Sequence, residues 1–244
     1  MEFNFMRKYC IVPLYAILLG SVSGCSSISE EECLLGDWYQ VGLSDGQKGK
    51  NSHAAEYNKD CSEYQVQVDV KLYSEGRSEG LKSFCTYENG VSLGKSNQSY
   101  NNVCPAELSL EFLSGYTPYH NLASAQSEQR SYESNINHYV ALLDGQSLSD
   151  SDRKNYEANL KSARYKLDQA EYKVSKYENE LALHKIQVEK NKIVEELSNN
   201  DLPNSRKDQL NKRLNTLDKQ QSFYENLSQT ENTIRSIKGI ADLF

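Results

Sequence analysis

WYQVGLSDGQKG at residues 38–49, YSEGRSEG at 73–80 and YENGVSLG at 87–94 repeat one device, an aromatic residue followed by glycines at close helical spacing. FLSGYTPY at 112–119 is a weaker fourth copy, with Phe112, Gly115 and then Tyr119. Residues four apart share one face of a helix. Each copy therefore predicts a helix with a glycine groove, open to close approach by another backbone, beside an aromatic ridge. Glycine costs a helix about 1 kcal/mol relative to alanine, so the set demands compensation from packing. The competing reading makes these glycines turns of a small β-rich domain, because YQVQVDV at 64–70 alternates as a strand does. The helical reading is preferred, and the fold class expected is all-α.

Four cysteines bracket the first three copies: Cys33, Cys61, Cys85 and Cys104. An even number in an exported chain reads as two disulfides. Pairing Cys33 with Cys61 and Cys85 with Cys104 is favoured because each bridge then ties a local helical turnback, while the nested pairing stays open. A structural zinc site is the rival, but the spacings of 28, 24 and 19 contain no C-x2-C knuckle.

Export is read from what lies upstream. Arg7 and Lys8 precede an apolar run from Tyr9 to Gly20 that ends in Val22-Ser23-Gly24-Cys25. A basic n-region, a short apolar stretch and small residues before a cut are the parts of a secretory signal, and the run is too short for a permanent span of roughly 20 residues. The last four residues resemble the bacterial lipoprotein processing signal. That resemblance implies a lipidated Cys25 as the mature N-terminus, and Ser26 after it favours the outer membrane. Residues 1–24 are thus the expected signal peptide and 25–32 a lipidated tether.

Of 244 residues only 38% are hydrophobic, and the mean hydropathy is −0.72, which suits a small or elongated core. The net charge is −7. Lys and Arg are interspersed with acid, so there is no basic patch to neutralise phosphates, and nucleic acid is not an expected partner.

From about Leu122 the pattern becomes heptads. Leu122, Ala125, Gln129, Tyr132, Ile136, Tyr139 and Leu143 form one run, stopped at Asp144-Gly145, with N-cap residues at Ser149 to Asp152. Tyr156, Leu160, Ala163, Leu167, Ala170, Val174, Tyr177, Leu181, His184 and Val188 form the second and most regular run. After a turn at Ser198–Asn204, a third run carries Leu210, Leu214, Leu217, Tyr224, Leu227, Ile234 and Ile237. Short links make neighbouring helices antiparallel, so residues 121–244 are expected to be an antiparallel coiled-coil tail. Self-association through it stays open. Tyr165 and Tyr172, off the seam, are its candidate interface residues.

Cys33, Trp38, Gly42, Asp45, Gly46, Gly49, Cys61, Tyr73, Gly76, Arg77, Glu79, Gly80, Leu81, Cys85, Gly90, Gly94, Tyr100, Cys104 and Pro105, in that order, resemble a family of small proteobacterial lipoproteins catalogued only as a domain of unknown function. The resemblance implies an exported, helical, cysteine-rich domain over residues 33–120 and no known activity. In the family pattern the last copy runs on through another glycine, where Thr117-Pro118-Tyr119-His120 stands here. Asp45, Arg77 and Glu79, beside the glycines, read either as a polar site by that resemblance or as solvated helix-surface pairs.

Gly42-Leu43-Ser44-Asp45-Gly46 matches G-x-S-x-G, but a nucleophile elbow needs a strand-to-helix turn in a large α/β sheet. No catalytic residue, metal or cofactor is therefore expected. His53, His120, His138 and His184 stand at no metal spacing from one another. The leading expectation is an outer-membrane lipoprotein facing the periplasm, acting as an envelope scaffold or tether through its coil. The alternatives are a small-ligand or peptide-binding groove formed by Trp38, Gly42, Asp45, Gly46, Tyr73, Gly76, Arg77 and Gly80 and, remotely, a hydrolase using Ser44.

Overall fold

The structure is a computed structural model that describes residues 28–145 and 148–241. The expected signal segment, Cys25 and the start of the tether lie outside the described residues. Among those described there is no strand, and the elements are α1 (Glu30–Leu35), α2 (Trp38–Gln47), α3 (Ala54–Cys61), a 3-10 turn (Ser62–Tyr64), α4 (Val70–Phe84), α5 (Tyr87–Lys95), α6 (Ala106–Asp144), α7 (Asp150–Leu197) and α8 (Asn204–Ala241). None is long and apolar enough to cross a membrane.

Polar caps set most of these boundaries. Ser29 and Glu32 close a capping box on α1, and the side chains of Asp37, Asp69, Thr86 and Ser149 accept backbone N–H groups at the starts of α2, α4, α5 and α7. The capping of α4 by Asp69 also decides the strand question. Residues 66–69 are a non-helical connection that follows a left-handed Gln65 (φ 60°) and ends at an extended Asp69. Val66 and Val68 pack on the core, and the Val68 N–H is taken up by Asn58 Oδ1 at 3.1 Å. The alternation is real, but it serves side-chain burial without a neighbouring strand.

Two helix pairs make the N-terminal part. α2 lies on α4 and α5 lies on α6, each crossing at its glycines. Disulfides join Cys33 to Cys61 and Cys85 to Cys104. Around the first bridge, Trp38, Ala54, Tyr57, Val68 and Tyr73 form one core; around the second, Leu81, Phe112 and Tyr116 form another.

The arm is antiparallel throughout. Lys173 pairs with Glu128 between α7 and α6, while Arg206 with Glu196 and Arg213 with Glu189 link α8 to α7. Ala125, Ala163 and Ala170 are buried. Against α8, α7 uses a second line at heptad spacing, Asn179, Ile186 and Ile193, which meets Leu210, Leu214, Leu217 and Tyr224. The third heptad run does not stay on that seam. From Glu231 onward the α7–α8 contact is polar, with Glu231 accepting from Ser175 and Asn179 and Arg235 lying 4.0 Å over the Tyr172 ring, so Ile234 is left exposed.

The division expected between residues 120 and 121 falls inside α6, which carries the fourth glycine copy and the first arm helix as one rod, with Pro118 in its interior.

Candidate functional site

The glycines come first, because they bring the other residues together. A Cβ added at Gly42 would stand 2.0 Å from the Tyr73 carbonyl oxygen, and one at Gly46 would stand 2.2 Å from that of Arg77. The reciprocal positions are equally tight: Gly76 against the Tyr39 carbonyl at 2.0 Å and Gly80 against Leu43 at 2.2 Å. Each glycine groove is thus filled by the backbone of the facing helix, and no ligand-sized space remains between α2 and α4. Gly49 belongs to no such face. It follows α2 in a left-handed conformation (φ 62°) with the Phe84 ring against it. In the α5–α6 pair, Gly90, Gly94 and Gly115 repeat the crossing, and Tyr119 takes the fourth place, its Cβ 3.0 Å from the position of a Cβ on Gly94.

The crossing of α2 and α4 carries a polar knot. Asp45, only 3% exposed, accepts hydrogen bonds at Oδ2 from the hydroxyls of Tyr57 (2.8 Å) and Tyr73 (2.9 Å), and its Oδ1 pairs with Lys50 Nζ at 2.9 Å. The Tyr73 hydroxyl in turn accepts the His53 N–H at 3.1 Å. Arg77 Nη2 donates to the Lys50 carbonyl at 2.7 Å, while its Nε is buried without a partner in the chain.

Burial opposes the charge on Asp45, but the hydrogen bonds from Lys50, Tyr57 and Tyr73 outweigh it and hold the carboxyl below its ordinary 3.8. Burial, and then the Asp45 carboxylate, pushes the Tyr57 phenol well above its ordinary range. Burial likewise raises Tyr73, with Asp45 adding to the shift against the opposing His53 hydrogen bond. Asp45 stays ionised and both phenols stay neutral across physiological pH, so these three groups act as a lock and not as a proton relay.

The sequence-predicted residues divide accordingly. Trp38, Gly42, Asp45, Gly46, Tyr73, Gly76, Arg77 and Gly80 are brought together by α2 and α4, with Trp38 4% exposed in the first core. Asp45 is a buried anchor and not the solvated surface residue the bland reading supposed, whereas Glu79 does pair with Lys82 at the surface at 2.6 Å. Tyr57 and Lys50 were not anticipated. Tyr57 stands four residues before Cys61, on the same face of α3, and that spacing was the available signal. Ser44 lies within α2, so G-x-S-x-G is helical here. Tyr172 is taken up by α8 through Asn232 and Arg235 and is not a free interface residue.

Replacing Asp45 by Asn should cost about 2 kcal/mol at pH 7, since charge-assisted hydrogen bonds contribute about 1.5–3 kcal/mol each and the amide keeps part of them. The folded-state pKa of Asp45 is depressed, so its stabilisation is present above the unfolded value near 3.8 and is lost as pH falls through the folded value. Urea titrations at pH 7 and at pH 2.5 should therefore give a clear gap between wild type and Asp45→Asn at pH 7 and a narrower gap in acid. An equal gap at both would refute the assignment.

A second cluster joins the domain to the arm. Tyr87 of α5 stacks on His184 of α7, their polar tips 3.4 Å apart, and burial lowers the His184 pKa. Lys95 and Lys185 both lie over the Tyr119 ring, at 5.1 and 5.6 Å from its centroid.

Among the described residues no group of three or more His, Cys, Asp or Glu side chains is placed to hold a metal, and all four described cysteines are in disulfides. No curated protein and no solved structure matches the chain. Residues 37–120, the segment holding all four glycine copies, match the family described as "Protein of unknown function (DUF2799)".

Proposed function

We propose that the protein is a non-enzymatic lipoprotein of the bacterial envelope, held in the outer membrane by acyl chains on Cys25, facing the periplasm and working as a tether or scaffold. Several acyl chains, at about 0.8 kcal/mol per buried methylene, make a stable anchor. The disulfide-stapled domain sits next to the anchor, and the arm presents a long surface to an envelope protein.

The observation that carries this reading is apolar surface left open along the arm. Tyr165, Val194, Phe223 and Ile234 are exposed, and Phe223 and Ile234 share one flank of α8 beside the seam that packs on α7. Aromatic and aliphatic side chains on an otherwise charged coil are the composition of a protein interface. The shared helix α6 supports it further, because it joins the domain and the arm in one continuous helix.

The test has two parts. Cys25→Ser should move the protein from the membrane fraction to the soluble fraction. A photo-crosslinking residue at Phe223 or Tyr165 should give one discrete envelope adduct in cells, and the same residue at Leu110, exposed on α6 outside the arm, should not. Absence of any adduct from the arm positions would sink the scaffold reading.

A further inference from the structure

α1 is six residues long, and its two leucines point the wrong way for a core. Leu34 is 61% exposed and Leu35 75% exposed, while Cys33 between the turns is fully buried in its disulfide. They line an open concavity with Ser29, Glu30 and Glu31. Glu30 is one turn before Leu34, so the two share a face. Tyr64, itself exposed, belongs to the 3-10 turn that packs against α1. An aliphatic pair, a tyrosine and an acidic rim are therefore gathered at the end of the domain where the chain enters.

Distance to the anchor decides what covers them. Cys25 lies three positions before Ile28, where the described chain begins, and Ile28 is already buried in the first core. Three residues reach at most about 11 Å. An acylated Cys25 must sit at the lipid surface, so the α1 end of the domain cannot stand farther from the headgroups than that.

We infer that Leu34 and Leu35 of α1, with Tyr64 beside them, form a membrane-contact face that enters the headgroup layer, so the domain rests on the bilayer in one orientation. The inference rests on the acylated Cys25 of the function proposed above. Glu30 and Glu31 at the rim repel anionic lipid and favour an ammonium-bearing zwitterionic headgroup such as that of phosphatidylethanolamine.

The experiment uses the mature chain purified from membranes and reconstituted in phosphatidylethanolamine–phosphatidylcholine vesicles whose acyl chains carry bromine. Its intact mass is read first. Trp38, the single tryptophan and buried, gives the wild-type baseline. Leu35→Trp, at a highly exposed position that leaves the core untouched, should lose roughly half of its added emission to the bromines, because an interfacial apolar face lies about 5–10 Å into the headgroup and acyl boundary. Leu34→Trp should behave alike. An acylated protein whose added tryptophans are not quenched overturns the contact face alone, whereas an unmodified Cys25 overturns the anchoring and the face with it.

Discussion

Reducing both disulfides should unfold the domain that holds Trp38 while the protein is still at 37 °C. The bridges close chain segments of 28 and 19 residues, and the loop-entropy relation gives about 3–4 kcal/mol for each at 25 °C. Their sum, roughly 7 kcal/mol, is comparable with the 5–15 kcal/mol that holds a typical domain folded. Little else stands in reserve. Each core is a cluster of a few side chains centred on a bridge, Cys33 and Cys61 with Trp38, Tyr57 and Tyr73, and Cys85 with Phe112 and Tyr116. Trp38 is the natural reporter, because it is buried against the first bridge. A phosphine reductant should red-shift its emission and lower the thermal midpoint of the domain. Emission that stays at the native wavelength under full reduction would show that packing alone suffices.

Gly76→Ala should cost about 2–3 kcal/mol, although alanine is the better helix former. The new methyl group would meet the Tyr39 carbonyl oxygen at 2.0 Å, and the opposing Gly42 is held equally close to Tyr73. Both obstacles are backbone, so relief requires α2 and α4 to separate along the whole crossing, which opens the hydrogen bonds of Asp45 to Tyr73 and of Arg77 to Lys50. Overpacking typically costs about 1–3 kcal/mol and occasionally more, the opened hydrogen bonds add about 1 kcal/mol each, and the propensity gain of about 1 kcal/mol offsets only part of the sum. The α5–α6 crossing is looser at Gly94, where the nearest oxygen, on Tyr116, is 2.5 Å away, so Gly94→Ala should cost less. At Gly145 the nearest atom is 3.2 Å away and φ is −65°, a conformation open to any residue, so Gly145→Ala should be near neutral. Equilibrium urea unfolding of the three variants should follow that order. A Gly76→Ala protein as stable as wild type would refute the close-crossing account.

The repeated aromatic and glycine pattern made the helical fold and the two crossings legible, because a glycine face has one principal physical use in a helix pair. The cap residues did the same for the arm, with Ser149 starting α7 and the Asn199–Pro203 turn separating α7 from α8. What stayed hidden depended on which helix lay opposite. α7 has two lines of contact, and a single heptad register captured only the one that continues through Ala163 and Ala170. The line of Asn179, Ile186 and Ile193 was lost in it, and Tyr172, one heptad before Asn179, looked like a free aromatic. Asp45 was hard to read for a related reason. Its partners come from α3, α4 and the segment after α2, and no spacing within α2 announces a carboxylate that three other segments cover. The strand-like alternation of residues 64–70 was the reverse case, a local pattern with no neighbour to pair with.

The position of the two bridges also sets how the molecule takes load. If the arm is pulled while the other end is held, tension enters through α6 and runs back along the chain toward residue 28. The segments between Cys33 and Cys61 and between Cys85 and Cys104 are covalently short-circuited. Their contour, about 160 Å at roughly 3.5 Å per residue, is withheld from extension whatever the force. Between the two bridges only the stretch from Cys61 to Cys85, which contains α4, can lengthen, and four glycines hold that helix close against α2. The oxidised domain would therefore be a stiff, nearly inextensible coupling, and the redox state of its compartment would set its compliance.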